Sequence, residues 1–160
     1  MRILKAKRFL QTRLNPEVIK TYRQYGFSIN GLVSSNDWEV FAAILFDETK
    51  KTSGSDLQNY EVKSAIDGSS FEYQYHKESG FDKIEEEKIV KHLFISYDKD
   101  YKNISGRIVE GKQMSEKLDL WKEGLQKNYD QGNQRYRKSI SYGFVKKQGK
   151  LLFELNENEE

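Results

Sequence analysis

The spacing of apolar positions changes along the chain. In the first third it is helical. "PEVIKTYRQYG" places Val18, Ile19 and Tyr22 on one side of a short helix, with Asn15 as cap, Pro16 at the first helical position and Gly26 as the stop. "NDWEVFAAILFDETKK" repeats the pattern through Trp38, Phe41, Ala42 and Leu45. Asn36, with Glu39 three residues on, predicts a capping-box start. After "TSGS" the period falls to two. Leu57–Ile66 reads as a strand with a turn near Gln58–Asn59. "SSFEYQYHK" sets Phe71, Tyr73 and Tyr75 against Glu72, Gln74 and His76. "GFDKIEEEKIVKH" predicts a helix with Phe81, Ile84, Lys88 and Ile89 along one side. "HLFISYD" and "ISGRIVEGKQM" predict strands joined at "KDYKN". "SEKLDLWKEGLQKNY" predicts a helix capped by Ser115, and "RKSISYGFVKKQGKLLFEL" a basic hairpin turning near Gln148–Gly149. Two helices followed by strands and helices in alternation predict an α/β fold with a mixed, partly antiparallel central sheet flanked by helices.

Composition narrows the class. A chain of 160 residues suits one domain with a real core. Charged residues reach 32%, yet 13% aromatic content excludes a disordered polar chain. Cysteine is absent, which removes disulfides and thiolate metal sites and fits a cytoplasmic setting. No apolar run approaches the roughly 18–20 residues of a membrane span, and the basic start lacks the apolar stretch of a signal peptide. Four glutamates crowd the last seven residues, so the remainder is more basic than the net charge of +2 suggests. Met1–Arg13 and Arg135–Lys150 contain no acid at all. Basic segments with interleaved aromatics suit either a solvated face or contact with nucleic-acid phosphates.

The stretch "SGSDLQNYEVKSA" carries charge where a strand core would avoid it. Glu61 and Lys63 are two apart and share a strand face, while Val62 points the other way, into the core. A pair of carboxylates on such a frame, Asp56 and Glu61, can hold Mg²⁺, a hard ion that takes oxygen ligands and keeps several waters. The backbone carbonyl of Val62 is a natural third ligand. A lysine beside the ion can assist the attacking water or stabilise developing charge on phosphorus. The bare pattern acid-x-Lys is not diagnostic, because it also occurs at Glu48, Glu86, Asp100 and Glu110. Only at Glu61 does it combine a strand context, a β-branched middle residue and an acid a short turn upstream. The alternative is a cross-strand surface ion pair, with Asp56 capping the turn.

In order along the chain stand a helix, Gly54-Ser55-Asp56, "EVKS" at Glu61–Ser64, and a Phe-led strand ending at His76. There follow a helix, the strand Leu93–Tyr97, a second hairpin strand, a helix holding Trp121, and a terminal basic hairpin. The set resembles the PD-(D/E)XK nuclease superfamily, in particular its small type II restriction endonucleases, over roughly residues 39–155. The resemblance implies a restriction-endonuclease-like core and Mg²⁺-dependent hydrolysis of phosphodiester bonds in double-stranded DNA at a short specific sequence. It also implies a homodimer that cuts both strands, and a cognate methyltransferase in the same restriction-modification system. Asp56 and Glu61 then correspond to the metal-binding carboxylates and Lys63 to the catalytic lysine. Ser53 stands where an acid is expected.

By the same resemblance the strand of Gln74 and His76 reads base edges in the major groove. Histidine would serve a guanine edge and glutamine an adenine. Asn133 and Gln134 match a recognition loop. The basic side chains Arg135, Arg137 and Lys138 are expected to contact bases or phosphates, through either the side of Arg137, Ser139 and Ser141 or that of Lys138, Ile140 and Tyr142. One domain spans residues 1–160. Within it, residues 1–50 are expected to serve dimerisation, 51–153 catalysis and recognition, and 154–160 form an acidic tail. The run Glu85–Glu87 reads as a solvated helix face, with a further metal ligand as the alternative. Two other functions fit parts of the pattern: a DNA-binding module without catalysis, and a repair or nicking nuclease of the same superfamily.

Overall fold

The computed structural model describes residues 2–157. In chain order they form α1 (Ile3–Arg13), α2 (Pro16–Gln24), α3 (Ser35–Phe46), β1 (Tyr60–Ile66), β2 (Phe71–His76), α4 (Gly80–Glu87), β3 (Lys91–Tyr97) and β4 (Asn103–Glu110). Then come α5 (Gly111–Asp130), β5 (Arg135–Ile140), α6 (Tyr142–Gln148) and β6 (Lys150–Asn156). The fold is α/β. A four-stranded sheet has the order β1-β3-β4-β6, and β2 with β5 makes a separate two-stranded ribbon. The sheet is mixed: β1 runs parallel to β3, whereas β4 is antiparallel to β3 and β6 to β4.

The two faces of the sheet bury different cores. Val62, Leu93 and Ile95 face α1 and α3, where they meet Ala6, Leu10, Trp38, Phe41 and Leu45. On the opposite face Phe94 and Val109 join Phe71, Tyr73 and Tyr75 of β2, Ile84 of α4, and Met114, Leu118 and Trp121 of α5. Strand alternation thus sends Val62 into the first core and Glu61 with Lys63 toward the second. Among the described residues no helix is long and apolar enough to cross a membrane.

Several expected boundaries move, each for a local reason. The basic N-terminus is helix α1, because Ala6 and Leu10 bury against α3 while Lys5 and Arg8 stay exposed. Arg13 ties the two helices together through Asp37 at 2.9 Å. The cap of α3 is Ser34 rather than Asn36. The Ser34 hydroxyl accepts from the Asp37 amide at 3.1 Å, and the Asp37 carboxylate accepts from the Ser34 amide at 3.0 Å. Helix α5 starts at Gly111, not after Ser115, because Glu110 and Gln113 form the reciprocal cap. Ile89 is 82% exposed, since α4 stops at Glu87 before it can join the apolar side.

The C-terminal hairpin is not formed. Ser141 accepts from the Phe144 amide at 3.1 Å and starts helix α6. The two strand-like stretches therefore part: β5 pairs with β2, and β6 with β4. The acidic tail is likewise shorter than expected, since residues 154–156 belong to β6 and the last three lie outside the described residues.

Gly111 sets the approach of α5 to the turn after α4. A Cβ there would lie 2.5 Å from the Val90 carbonyl oxygen and 2.6 Å from that of Lys88, both backbone atoms. Gly111→Ala should lower stability by about 1–3 kcal/mol, the usual range for overpacking. A urea titration checks this as a lower midpoint at unchanged slope; a wild-type midpoint would contradict it.

Candidate active site

The turn before β1 is fixed by polar groups. Gly54 has a φ of 85°, a conformation that favours glycine, and the Glu86 carboxylate occupies the place a Cβ would take. Glu86 is ion-paired with Lys51, and the buried Ser55 hydroxyl lies 3.0 Å from its Oε1. Ser53 is exposed, and the nearby acid is supplied from α4 by Glu86. This anchoring presents Asp56 to the start of β1. The Val62 amide donates to Asp56 Oδ2 at 2.8 Å, and the Asp56 amide donates to Glu61 Oε2 at 3.2 Å. The two exchanged bonds hold both carboxylates beside one another.

Glu61 has no solvent exposure. Lys63 Nζ lies 2.6 Å from its Oε1 and Lys83 Nζ, from α4, 3.5 Å away. The Lys63 ammonium also sits over the Tyr73 ring, 4.6 Å from its centre. Burial pushes the Glu61 carboxyl up, but the charges of Lys63 and then Lys83 outweigh it and hold Glu61 below its ordinary value. Burial pulls Lys63 down, but Glu61 and Asp56 outweigh it and hold the ammonium above its ordinary value. Asp56 lacks such a close cation. Burial, followed by the Glu61 charge, pushes it up to about 6.

Behind this trio lies a buried polar network. Glu87 is wholly buried, accepts from the Tyr75 hydroxyl at 2.6 Å, and has its Oε1 3.8 Å from Lys83. Burial and then the Glu61 charge push its carboxyl up to about 8. His92 lies beside it, with Nε2 2.6 Å from the Glu87 carbonyl and Nδ1 2.7 Å from the Tyr73 hydroxyl. The run Glu85–Glu87 is therefore not one solvated face. Successive helix residues point about 100° apart. Glu85 pairs outside with Lys88 and Lys122, Glu86 pins the turn, and Glu87 enters the core. Gly80 and Ile84 are buried at the same helical spacing, which is the signal that marks position 87. Lys83 and His92 carry no motif, and sequence reasoning missed both.

The ribbon gathers the other candidate residues. Cross-strand pairs match Gln74 with Arg137 and His76 with Arg135, so these four share one face. His76, Arg135 and Arg137 are exposed, and Gln74 is half-buried. Lys138 pairs with Tyr73 and lies on the opposite face, apart from Arg137. Asn133 and Gln134 are exposed in the loop that leads into β5. There the Asn133 amide side chain donates to Asn128, and the Gln134 carbonyl accepts from Lys77.

No protein-family model matches the chain, and no curated protein matches it either. Among the described residues no cluster of three or more His, Cys, Asp or Glu is arranged to hold a metal. The paired carboxylates nevertheless fit Mg²⁺, which is commonly held by one or two carboxylates, water and substrate phosphate. Buried Glu61 Oε1 faces two ammoniums, Lys63 at 2.6 Å and Lys83 at 3.5 Å, so its surroundings already favour a cation.

The raised Asp56 carboxyl has a consequence for stability. Between about pH 4 and 6 the folded protein binds more protons at Asp56 than the unfolded chain does, so stability falls as pH rises through that window. The penalty is fully present above pH 6 and is of order 3 kcal/mol. Asp56→Asn keeps an acceptor for the Val62 amide and removes the charge. In metal-free buffer its melting temperature should exceed that of wild type at pH 8 and converge with it near pH 4. A lower value at pH 8 would contradict this.

Proposed function

We propose that this chain is a Mg²⁺-dependent endonuclease of the PD-(D/E)XK type that cleaves duplex DNA at a specific sequence, as a type II restriction endonuclease does. The observation that carries the reading is the Asp56–Glu61–Lys63 cluster, two adjoining carboxylates with an ammonium at 2.6 Å on a β-strand frame. A surface ion pair would not be buried this completely. Removing a carboxylate from water is costly unless it is closely paired, and such cost is usual at sites of chemistry.

Asp56, Glu61 and the Val62 carbonyl would hold the ion. Once bound, it would polarise the phosphoryl oxygen and acidify a coordinated water. Lys63 is held protonated by its two acidic neighbours, which suits it to donate to a phosphate oxygen and stabilise developing negative charge. Val62 fixes the strand by packing into the α1/α3 core.

Recognition belongs to the ribbon in this reading. A two-stranded β-ribbon fits the major groove. Its exposed face offers Gln74 and His76 to base edges and Arg135 and Arg137 to bases or phosphates, and the loop with Asn133 and Gln134 extends that face. Lys138 would serve phosphates at the ribbon edge. A homodimer would pair two such centres across the duplex. Helix α2 buries none of its residues and leaves Val18 and Tyr22 exposed, as a dimer contact would require.

The test is incubation with plasmid or phage DNA and Mg²⁺, beside Lys63→Ala and Asp56→Ala. Discrete fragments from wild type alone are expected, with both variants reduced at least 100-fold. Structure-dependent nicking would instead support a repair nuclease of the same type. Binding without cleavage in Mg²⁺ or Mn²⁺ would refute both and leave a DNA-binding module.

A further inference from the structure

The strand assigned to base reading is wired on its other face to the catalytic carboxylate. Strand alternation sends Gln74 and His76 outward and Tyr73 and Tyr75 inward. Both inward hydroxyls end at Glu87. Tyr75 donates to its Oε2 at 2.6 Å. Tyr73 reaches its backbone carbonyl through His92. A carbonyl only accepts, so His92 Nε2 carries the proton and Nδ1 accepts from the Tyr73 hydroxyl. Lys83 closes the path. Its ammonium stands between Glu87 at 3.8 Å and Glu61 at 3.5 Å, and lies over the Tyr75 ring, 5.7 Å from its centre.

Packing alone does not account for this network. Apolar side chains of similar volume would fill the space without burying a second carboxylate beside Glu61. The ribbon is a separate sheet with no backbone ladder to the four-stranded one among the described residues. Its placement over the catalytic strand therefore rests on side chains. The polar contacts of its inward Tyr73 and Tyr75 converge on Glu87, while α5 holds the ribbon's end through Tyr129 and Asn128, which donate to the His76 and Arg135 carbonyls.

We propose that Glu87 is a positioning residue, which links the seating of β2 on DNA to the placement of Lys83 and Glu61. The inference rests on the nuclease reading. A strand well seated in the groove keeps Tyr75 on Glu87 and Lys83 on Glu61. A strand displaced by a wrong base pair pulls Tyr75 away and leaves the catalytic carboxylate misplaced. Discrimination then falls on the cleavage step as well as on binding.

The test uses the full chain and a short duplex carrying a cleavage site mapped with wild type. Tyr75→Phe keeps the ring and removes only the hydroxyl. Its affinity for the duplex should stay within about twofold, while single-turnover cleavage falls about 10- to 100-fold, the range typical of lost supporting hydrogen bonds. The preference for the mapped site over sites differing at one base pair should narrow. Glu87→Gln keeps an acceptor for the Tyr75 hydroxyl and should retain most activity, whereas Glu87→Leu should resemble Tyr75→Phe. If Glu87→Leu does not fold, Tyr75→Phe alone decides. A Tyr75→Phe rate and preference within twofold of wild type would overturn the linkage and leave the nuclease reading standing. A parallel loss of binding and rate would reduce the network to structural support and also overturn it. Failure of wild type to cleave would remove both.

Discussion

A carboxylate with no contact with water must have its charge answered by protein, and Glu61 is such a group. Its answer comes from three directions. Lys63 lies two residues along the same strand, Lys83 reaches in from α4, and the Asp56 amide donates from the preceding turn. Each partner depends on a different part of the fold. The parallel pairing of β1 and β3 sets the strand, the α4 helix sets Lys83, and the Gly54 turn with Glu86 sets Asp56. Breaking a buried pair on one side typically costs about 3–5 kcal/mol, so the architecture around Glu61 is constrained from every side.

The division of labour in the molecule follows from strand alternation. In β1 the side of Val62 anchors the strand against α1 and α3, while the side of Glu61 and Lys63 holds charge. In β2 one side is aromatic and buried, while the other presents hydrogen-bonding groups to solvent. The two strands meet through their inward faces, Lys63 against the Tyr73 ring and Lys83 against that of Tyr75. The exposed polar groups of β2 and the charged groups of β1 thus lie on opposite sides of a thin aromatic layer.

Much of this was legible in the sequence because it depends on local period. The alternation of Phe71, Tyr73 and Tyr75, the Asn15–Pro16 helix start and the opposed sides of Glu61 and Val62 all stand as expected. What was not legible depends on partners distant in the chain. Helix α1 hides its apolar side in only a few residues, and α3 supplies the reason for burying them. The end of the chain carries two strand-like runs that suggested a hairpin, yet one Ser141 cap inserts a helix and sends the strands to different sheets. In the site, Asp56, Glu61 and Lys63 were marked by spacing. Lys83 and His92 were not, since nothing local distinguishes a lysine or histidine bound for the core from one bound for solvent, and Glu87 carried only the helical spacing it shares with Gly80 and Ile84.

As proposed, Asp56 and Glu61 form one cation site. Titration with Mn²⁺ followed by electron paramagnetic resonance tests it directly, with and without duplex DNA present. Wild type should show saturable loss of the free-ion signal, tightened by DNA, and Asp56→Asn and Glu61→Gln should each abolish it. Binding unchanged in both variants, or no saturable binding to wild type in the presence of duplex, would contradict the account.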